Sequence, residues 1–456
     1  MKTIVCEVSS SSYKFLLYDR DKEQKNVLTY PLAVDLMGTT QDAAVLRDDL
    51  FRYLGKILED FVPDYICLVT TWHGLLYFTS EGETCSPLYL WSDTGSLEYV
   101  DRFKGTEGFS GRFFDITGCQ MHPCYPFFKS MRYPKPRKDC IAGDLGSYLN
   151  LLFTGKLITG RSMASGSGLA DNSSCVYSEE MLKLTGLSKE ELPEIADERI
   201  LLPMSESAKE RLGVKKDILI QIALPDGASN QLGALPEGND MTLSVGTSSA
   251  MRVNVPEDIS ISGDKGLFLY RTPYGRLLGA ATNAGTNLIE WYRNENCLTD
   301  ISYDSLETKE TSDLIFLPFV FGERSPSWSG RRRYGFVGSV HDVREGYRAV
   351  QEGILFNIKQ CFDNIESVIR TERVLTSGGI LRSAHFMQMC SDVLERELHV
   401  CEYKDASLLG ALYLLHNILG SEIRDPVRSE VGYRPDISMR AYYRDKYAGY
   451  LEEYSK

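Results

Sequence analysis

Two short stretches of the chain share one pattern. Val8-Ser9-Ser10-Ser11-Ser12 and Val245-Gly246-Thr247-Ser248-Ser249 each take an apolar strand into a turn of small and hydroxyl residues, and an apolar run follows both. The offset is constant: 245 − 8 and 249 − 12 both give 237, about half of the 456 residues. Such an offset suggests an internal duplication, with one strand-turn-strand hairpin opening each half. The chain then divides into residues 1–238 and 239–456, with the boundary near Pro236 to Asp240 and a cleft between two similar domains. The competing reading is two unrelated serine-rich hairpins.

The rest of the pattern is an alternating α/β chain. Val45, Leu46, Leu50, Leu54, Ile57, Leu58 and Phe61 recur at helical spacing, and Tyr65 to Thr70 follows as a buried strand. A strand pair is expected around Glu81-Gly82, and a polar helical cover over 178–215. Asp342 can cap a long helix whose apolar positions run from Val343 to Val368 in steps of three and four. Arg373 to Thr376 is the next strand, and it enters Ser377-Gly378-Gly379 before a helix from about Ser383. Strand, Gly-Gly, helix is a place where a nucleotide can approach the backbone and free N–H groups, although tight connections need glycine too.

Composition removes several function classes. The formal net charge of −13 opposes nucleic-acid or anionic-membrane binding. The longest apolar run, Leu314 to Phe321, contains a proline and falls far short of the roughly 20 residues of a membrane helix. The eleven cysteines include no Cys-x-x-Cys pair, and the chain opens directly on Thr3-Ile4-Val5-Cys6. Free thiols in a cytoplasmic protein without a signal peptide are therefore expected. Cys119, His122 and Cys124 lack a fourth metal ligand of suitable spacing. No Gly-x4-Gly-Lys-Ser/Thr and no His-Glu-x-x-His occurs.

The chemistry centres on Asp226, where an apolar strand meets Gly227. Thirteen residues after Gly233 comes Gly246, in the second hydroxyl-lined turn. An acid on one wall and such a turn on the other suit phosphoryl transfer: the acid takes a proton from an alcohol while the turn holds phosphate. The same residues would also serve as a helix cap and a hairpin turn.

Taken together, the motifs resemble the FGGY carbohydrate kinases, which have the actin/hexokinase/Hsp70 fold. The first hairpin is similar to that family's opening phosphate loop, Trp72-His73-Gly74 to its sugar-contact turn, and Trp91-Ser92-Asp93-Thr94 to its Trp-x-Asp segment. Asp226 to Gly233 resembles the catalytic-aspartate motif, and Val245 to Ser248 the second phosphate loop. Gly322-Glu323-Arg324-Ser325-Pro326 with Gly335 to Gly338 resembles a family signature, and Thr376 to Gly379 with Ser383 the adenine-proximal motif. Thr117-Gly118, His122-Pro123, Pro126 and Lys129, with Ser165 to Leu169, are similar to the gluconokinase branch.

The resemblance implies two duplicated ribonuclease-H-like domains, sugar on the first and ATP on the second. It implies Asp226 as general base and Trp72, His73 and Asp93 as sugar contacts. Ser10, Ser11, Thr247, Gly285, Gly378, Gly379 and Ser383 would face the nucleotide, and Glu7 would place Mg²⁺. Gluconate is the favoured acceptor, a ketose such as xylulose the alternative, and a sugar-binding protein of weak turnover a third reading. A homodimer is compatible with the family. Three positions depart from the family pattern: Glu7 stands for its usual Asp, Ser9 for its usual Gly, and Gly95 where many members carry Arg.

Overall fold

The computed structural model describes residues 1–32, 38–234, 236–329, 331–401, 405–421 and 431–456. They form two compact units. The first holds Met1–Leu235, Leu269–Arg276 and Asp405–Arg424; the second holds Pro236–Phe268, Leu277–Lys404 and Asp425–Lys456. The division is therefore not a single cut near residue 238, because two later segments return to the first unit.

In the first unit, β1 (Lys2–Val8), β2 (Ser12–Asp19), β3 (Gln24–Pro31), β4 (Tyr65–Thr70) and β5 (Leu219–Pro225) lie in the order β3-β2-β1-β4-β5. The pairs β1–β2 and β2–β3 are antiparallel, whereas β1–β4 and β4–β5 are parallel. In the second unit, β6 (Met241–Val245), β7 (Ser249–Val255), β8 (Gly275–Thr282, completed by its later residues), β9 (Val374–Ser377) and β10 (Leu398–Val400) follow the order β8-β7-β6-β9-β10. Here β6–β7 is antiparallel, and β6–β9 and β9–β10 are parallel. Over these five strands the two sheets, of six and seven strands in all, share one order, and the 237-residue offset joins equivalent strand ends.

Strand β1 is buried from Thr3 to Val8, as expected of a strand covered on both faces. Alternation sends Ile4, Cys6 and Val8 toward the helix Ala43–Asp60, in a cluster with Leu46, Leu50 and Leu54. Val5 points the other way, into a cluster with Leu408, Leu412 and Leu415 of the helix Ala406–Ile418. Glu7 shares the Val5 face, so the pleat aims this carboxylate at the start of that helix.

The helix Ala43–Asp60 is capped by Asp42, and this puts Val45 at 51% exposure rather than in the core. Asp342 caps the helix Val343–Glu366, which buries Tyr347, Val350, Ile354, Ile358, Cys361 and Ile365. Val343 stays exposed in its first turn, and Val368 lies beyond its end. Around Glu81-Gly82 only an isolated Phe78–Thr84 bridge forms, because Leu76–Phe78 pairs instead with Ile141–Gly143. Residues 178–215 mix two short α-helices and the 3₁₀ helix Lys189–Glu191 with the strands Glu194–Ala196 and Leu201–Pro203. Among the described residues, no helix is long and apolar enough to cross a membrane.

Candidate active site

Asp226 follows the last residue of β5 and is the first residue of the helix Asp226–Gly233. The cap position is occupied by Pro225, which has no side-chain acceptor, so Asp226 is not the helix cap. Its Oδ1 accepts from the Gly227 N–H at 2.7 Å, and the residue is half-buried. The helix beneath it crosses Ala406–Ile418 at backbone contact. A Cβ on Gly233 would lie 1.8 Å from the Ala406 carbonyl oxygen, and one on Gly410 would lie 1.8 Å from that of Ser229. The Ser229 hydroxyl donates to the Ser407 carbonyl at 2.6 Å.

That crossing brings Asp405 and Ser407 to Glu7. Glu7 is 5% exposed, and its Oε2 has no hydrogen-bond donor; Lys14 Nζ stands 3.8 Å away and binds Asp405 at 3.0 Å. Burial raises the Glu7 pKa above the usual carboxylate value; Lys14 and the Ser407 hydroxyl lower it, whereas Asp226 and Asp405 raise it further. Two carboxylates, Glu7 and Asp405, thus share one ammonium, and the charge of Asp226 acts on Glu7 as well. Among the described residues, no three such side chains form a closed metal cage. The donor set instead fits Mg²⁺ held by one or two carboxylates, water and phosphate oxygens.

The turn after β1 differs from a phosphate cradle. Ser9 Oγ accepts from the N–H groups of Ser11 at 3.3 Å and Ser12 at 3.0 Å, so Ser9 itself fills the concavity beneath Ser10 and Ser11. The second turn is arranged otherwise. Its Gly246 N–H binds the Ser248 carbonyl, and the Gly246 carbonyl accepts from Thr286 N at 2.7 Å and Thr286 Oγ1 at 3.0 Å. Thr247 is exposed at its tip.

Two of the residues expected to contact sugar form a stacked group. The Trp72 and His73 rings are parallel with centroids 5.2 Å apart, and Tyr270 tilts against both. His73 takes a left-handed φ of 65°, and its Nδ1 donates to the Gly166 carbonyl at 2.7 Å. That bond puts a proton on Nδ1, so in the neutral ring Nε2 is the acceptor nitrogen. Gly166 is required here, since a Cβ would lie 2.3 Å from Trp72 Nε1. Asp93 is 3% exposed and braces its own turn, accepting from Gly95 N at 2.6 Å and the Tyr133 hydroxyl at 3.3 Å. The same tyrosine hydroxyl would lie 2.2 Å from a Cβ at Gly95, which explains glycine there.

On the second unit, Gly378 has a φ of 96°, and a Cβ would meet the Val245 carbonyl oxygen at 2.6 Å. Gly379 is less constrained, with Thr286 Cγ2 at 3.3 Å as its nearest neighbour. Gly285 packs on the second turn; its Cβ would fall 2.4 Å from the Gly246 carbonyl oxygen. Ser383 caps the helix Ala384–Leu394 through the Phe386 N–H and donates to Glu307 at 2.5 Å, so its hydroxyl is already engaged. Cys119 donates to the Ser165 carbonyl rather than to a metal centre.

Lys14, Asp405 and Ser407 were outside the sequence expectations. Lys14 is readable, since it faces Glu7 across the first hairpin. The other two are carried to the site by a helix late in the chain.

Residues 56–233 match the N-terminal domain of the FGGY family of carbohydrate kinases, and residues 241–416 match its C-terminal domain. A gluconokinase of Bacillus subtilis is 25% identical over 446 residues, covering 90% of this chain and 86% of its own. A crystal structure of gluconate kinase from Lactobacillus acidophilus superposes with a TM-score of 0.88 at 25% identity, covering 99% of this chain and 98% of that one. Ligand-bound xylulose kinase from the same organism gives 0.87 at 25% identity, covering 99% and 97%.

Proposed function

The chain belongs to the FGGY family of carbohydrate kinases, and we propose that it transfers the γ-phosphoryl group of ATP to a hydroxyl of a small sugar acid, gluconate first. The observation that carries this reading is Asp226 at the end of β5, outside the capping position and beside the buried Glu7. Gluconate is put first because a gluconokinase is similar over 90% of this chain and a gluconate kinase superposes over 99% of it; a xylulose kinase that superposes almost as well keeps a ketose as the alternative.

Each step has a residue of this chain. Trp72 supplies an apolar wall and His73 Nε2 an acceptor for a sugar hydroxyl. Asp93 holds the neighbouring turn in shape. Asp226 accepts the proton of the attacking hydroxyl as its oxygen approaches phosphorus. Thr247 and the N–H groups around it receive phosphate oxygens, with Gly378 and Gly379 leaving room for the nucleoside. Glu7, oriented by Lys14 and Ser407, is the group that would hold Mg²⁺. When bound, the ion neutralises phosphate oxygens and positions the γ-phosphoryl group.

One feature supports a second reading, sugar binding with weak turnover: the Ser9 hydroxyl occupies N–H groups of the first turn. An ADP-release assay over gluconate, xylulose, ribulose, fuculose, rhamnulose and glycerol separates the two. The kinase reading expects one acceptor to be turned over well above the others. ADP release indistinguishable from the sugar-free rate with all six, despite calorimetric sugar binding, supports the second.

A further inference from the structure

One buried ammonium joins three loops of the sugar side. Lys129 lies on the helix Pro126–Arg132 and is 0% exposed. Its Nζ donates to the carbonyl oxygens of His73 at 2.8 Å, Leu90 at 2.5 Å and Cys124 at 2.8 Å. An ammonium has three N–H donors, and all three are used. Each acceptor belongs to a different loop: the Trp72-His73-Gly74 turn, the run into Trp91-Ser92-Asp93, and the His122-Pro123-Cys124 loop.

This arrangement is costly unless it does something. A charge without a hydrogen-bonded counterion pays a large desolvation penalty, and carbonyl dipoles offset only part of it. Asp93 is the nearby carboxylate, and it accepts from Gly95 N and the Tyr133 hydroxyl. An apolar side chain of similar length would avoid the penalty and would leave three loop carbonyls unpaired.

We propose that Lys129 is the positioning residue of the sugar site, its ammonium holding the Trp72-His73 turn and the Trp91-Asp93 turn in their binding arrangement. The inference rests on the reading of Trp72 and His73 as sugar contacts. Burial lowers the Lys129 pKa to about 8, against the opposing pull of Cys124 and Asp93. Other titratable or charged groups on the elements packed against it are His73 on its turn, Tyr89 beside Leu90, His122 and Tyr125 on the third loop, and Tyr133 with Arg132 at the end of its own helix. Neutral lysine has two N–H donors for three carbonyls, so the protonated form alone can grip all three loops.

The test follows two signals from pH 6.5 to 9.5 in the wild type and in Lys129→Met. One is the KM for gluconate, or for the fastest sugar of the panel above, measured with the KM for ATP. The other is the ¹⁵N-indole resonance of Trp72 in sugar-free protein, assigned with Trp72→Phe. If only the protonated form binds sugar, the wild-type sugar KM rises about fourfold by pH 8.5 and about tenfold by pH 9, following the lost competent fraction. The ATP KM stays within about twofold, and the Trp72 resonance moves over the same interval. Lys129→Met has a sugar KM raised about tenfold or more and lacks both pH dependences. A Trp72 resonance that is fixed with pH, or moves equally in Lys129→Met, overturns the proposal, as does a flat sugar KM. Should Lys129→Met fail to fold, Lys129→Arg stays charged throughout and should flatten the profile; an unaltered profile overturns the proposal. If no sugar is turned over, the kinase reading fails by that assay, while the indole titration still decides the role of Lys129.

Discussion

Asp226 stands at the first helical position rather than at the cap, so Asp226→Asn separates chemistry from folding. Asparagine keeps the shape but cannot take the proton as a carboxylate does. We expect kcat to fall about 10²–10⁴-fold, or roughly 3–5 kcal/mol, with sugar and ATP dissociation constants within a few-fold. A folded variant with near-normal turnover would remove Asp226 from the chemistry. Ser9 offers the reverse test. Its hydroxyl holds the N–H groups of Ser11 and Ser12, and Ser9→Gly releases them. If they face nucleotide phosphates, the ATP KM should fall about three- to tenfold, the net worth of roughly one ordinary hydrogen bond. An unchanged ATP KM would mean that this turn does not meet the phosphates. Asp226, Trp72 and His73 stand out in the sequence as candidates because each sits at a strand end or in a short motif. The state of Ser9 was not, since residue identity does not reveal which N–H groups a hydroxyl will take.

At the scale of elements, the site depends on how closely two helices cross. Glycine permits that contact: at Gly410 a Cβ would sit 1.8 Å from the Ser229 carbonyl oxygen. Gly410→Ala must push the Asp226 helix away, and overpacking of this kind costs about 1–3 kcal/mol. A displacement near 1 Å at a reacting group can cost about 10²-fold in rate, so kcat should fall together with the urea midpoint. Gly55 is the control. It lies within the helix Ala43–Asp60 with nothing inside 4 Å of its Cβ position, so Gly55→Ala should stabilise by about 0.5–1 kcal/mol and leave kcat alone. Equal urea midpoints for the two variants would show that the crossing is not tight in solution. The helix Ala406–Ile418 was hidden as a site element for a physical reason. Its apolar positions show that it is covered, but not that β1 covers it or that Asp405 then reaches Lys14.

At the scale of the whole molecule, the duplication was readable because each hairpin repeats a local pattern, and the two sheets share one strand order. The return of Leu269–Arg276 and Asp405–Arg424 to the first unit was not readable, since local periodicity does not say which sheet a later segment joins. The remaining claim is a division of labour, with acceptor groups on the first unit and nucleotide groups on the second. The two neighbouring glycines after β9 test it differently. Gly378 needs its positive φ and its close approach to Val245, so Gly378→Val should chiefly lower the thermal midpoint. At Gly379 a Cβ would press on a threonine methyl that can move by a few tenths of an ångström, with Thr286 Oγ1 and the Val245 carbonyl oxygen at an ordinary 3.7 Å. Gly379→Val should therefore fold with a midpoint near that of the wild type. Its side chain would then occupy space left for the nucleoside, raising the ATP KM about tenfold or more, the equivalent of ~1–3 kcal/mol of overpacking. The sugar dissociation constant, measured by calorimetry without ATP, should not change. Equal rises in both constants, at an unaltered thermal midpoint, would show that Gly379 does not belong to a nucleotide site distinct from the sugar site.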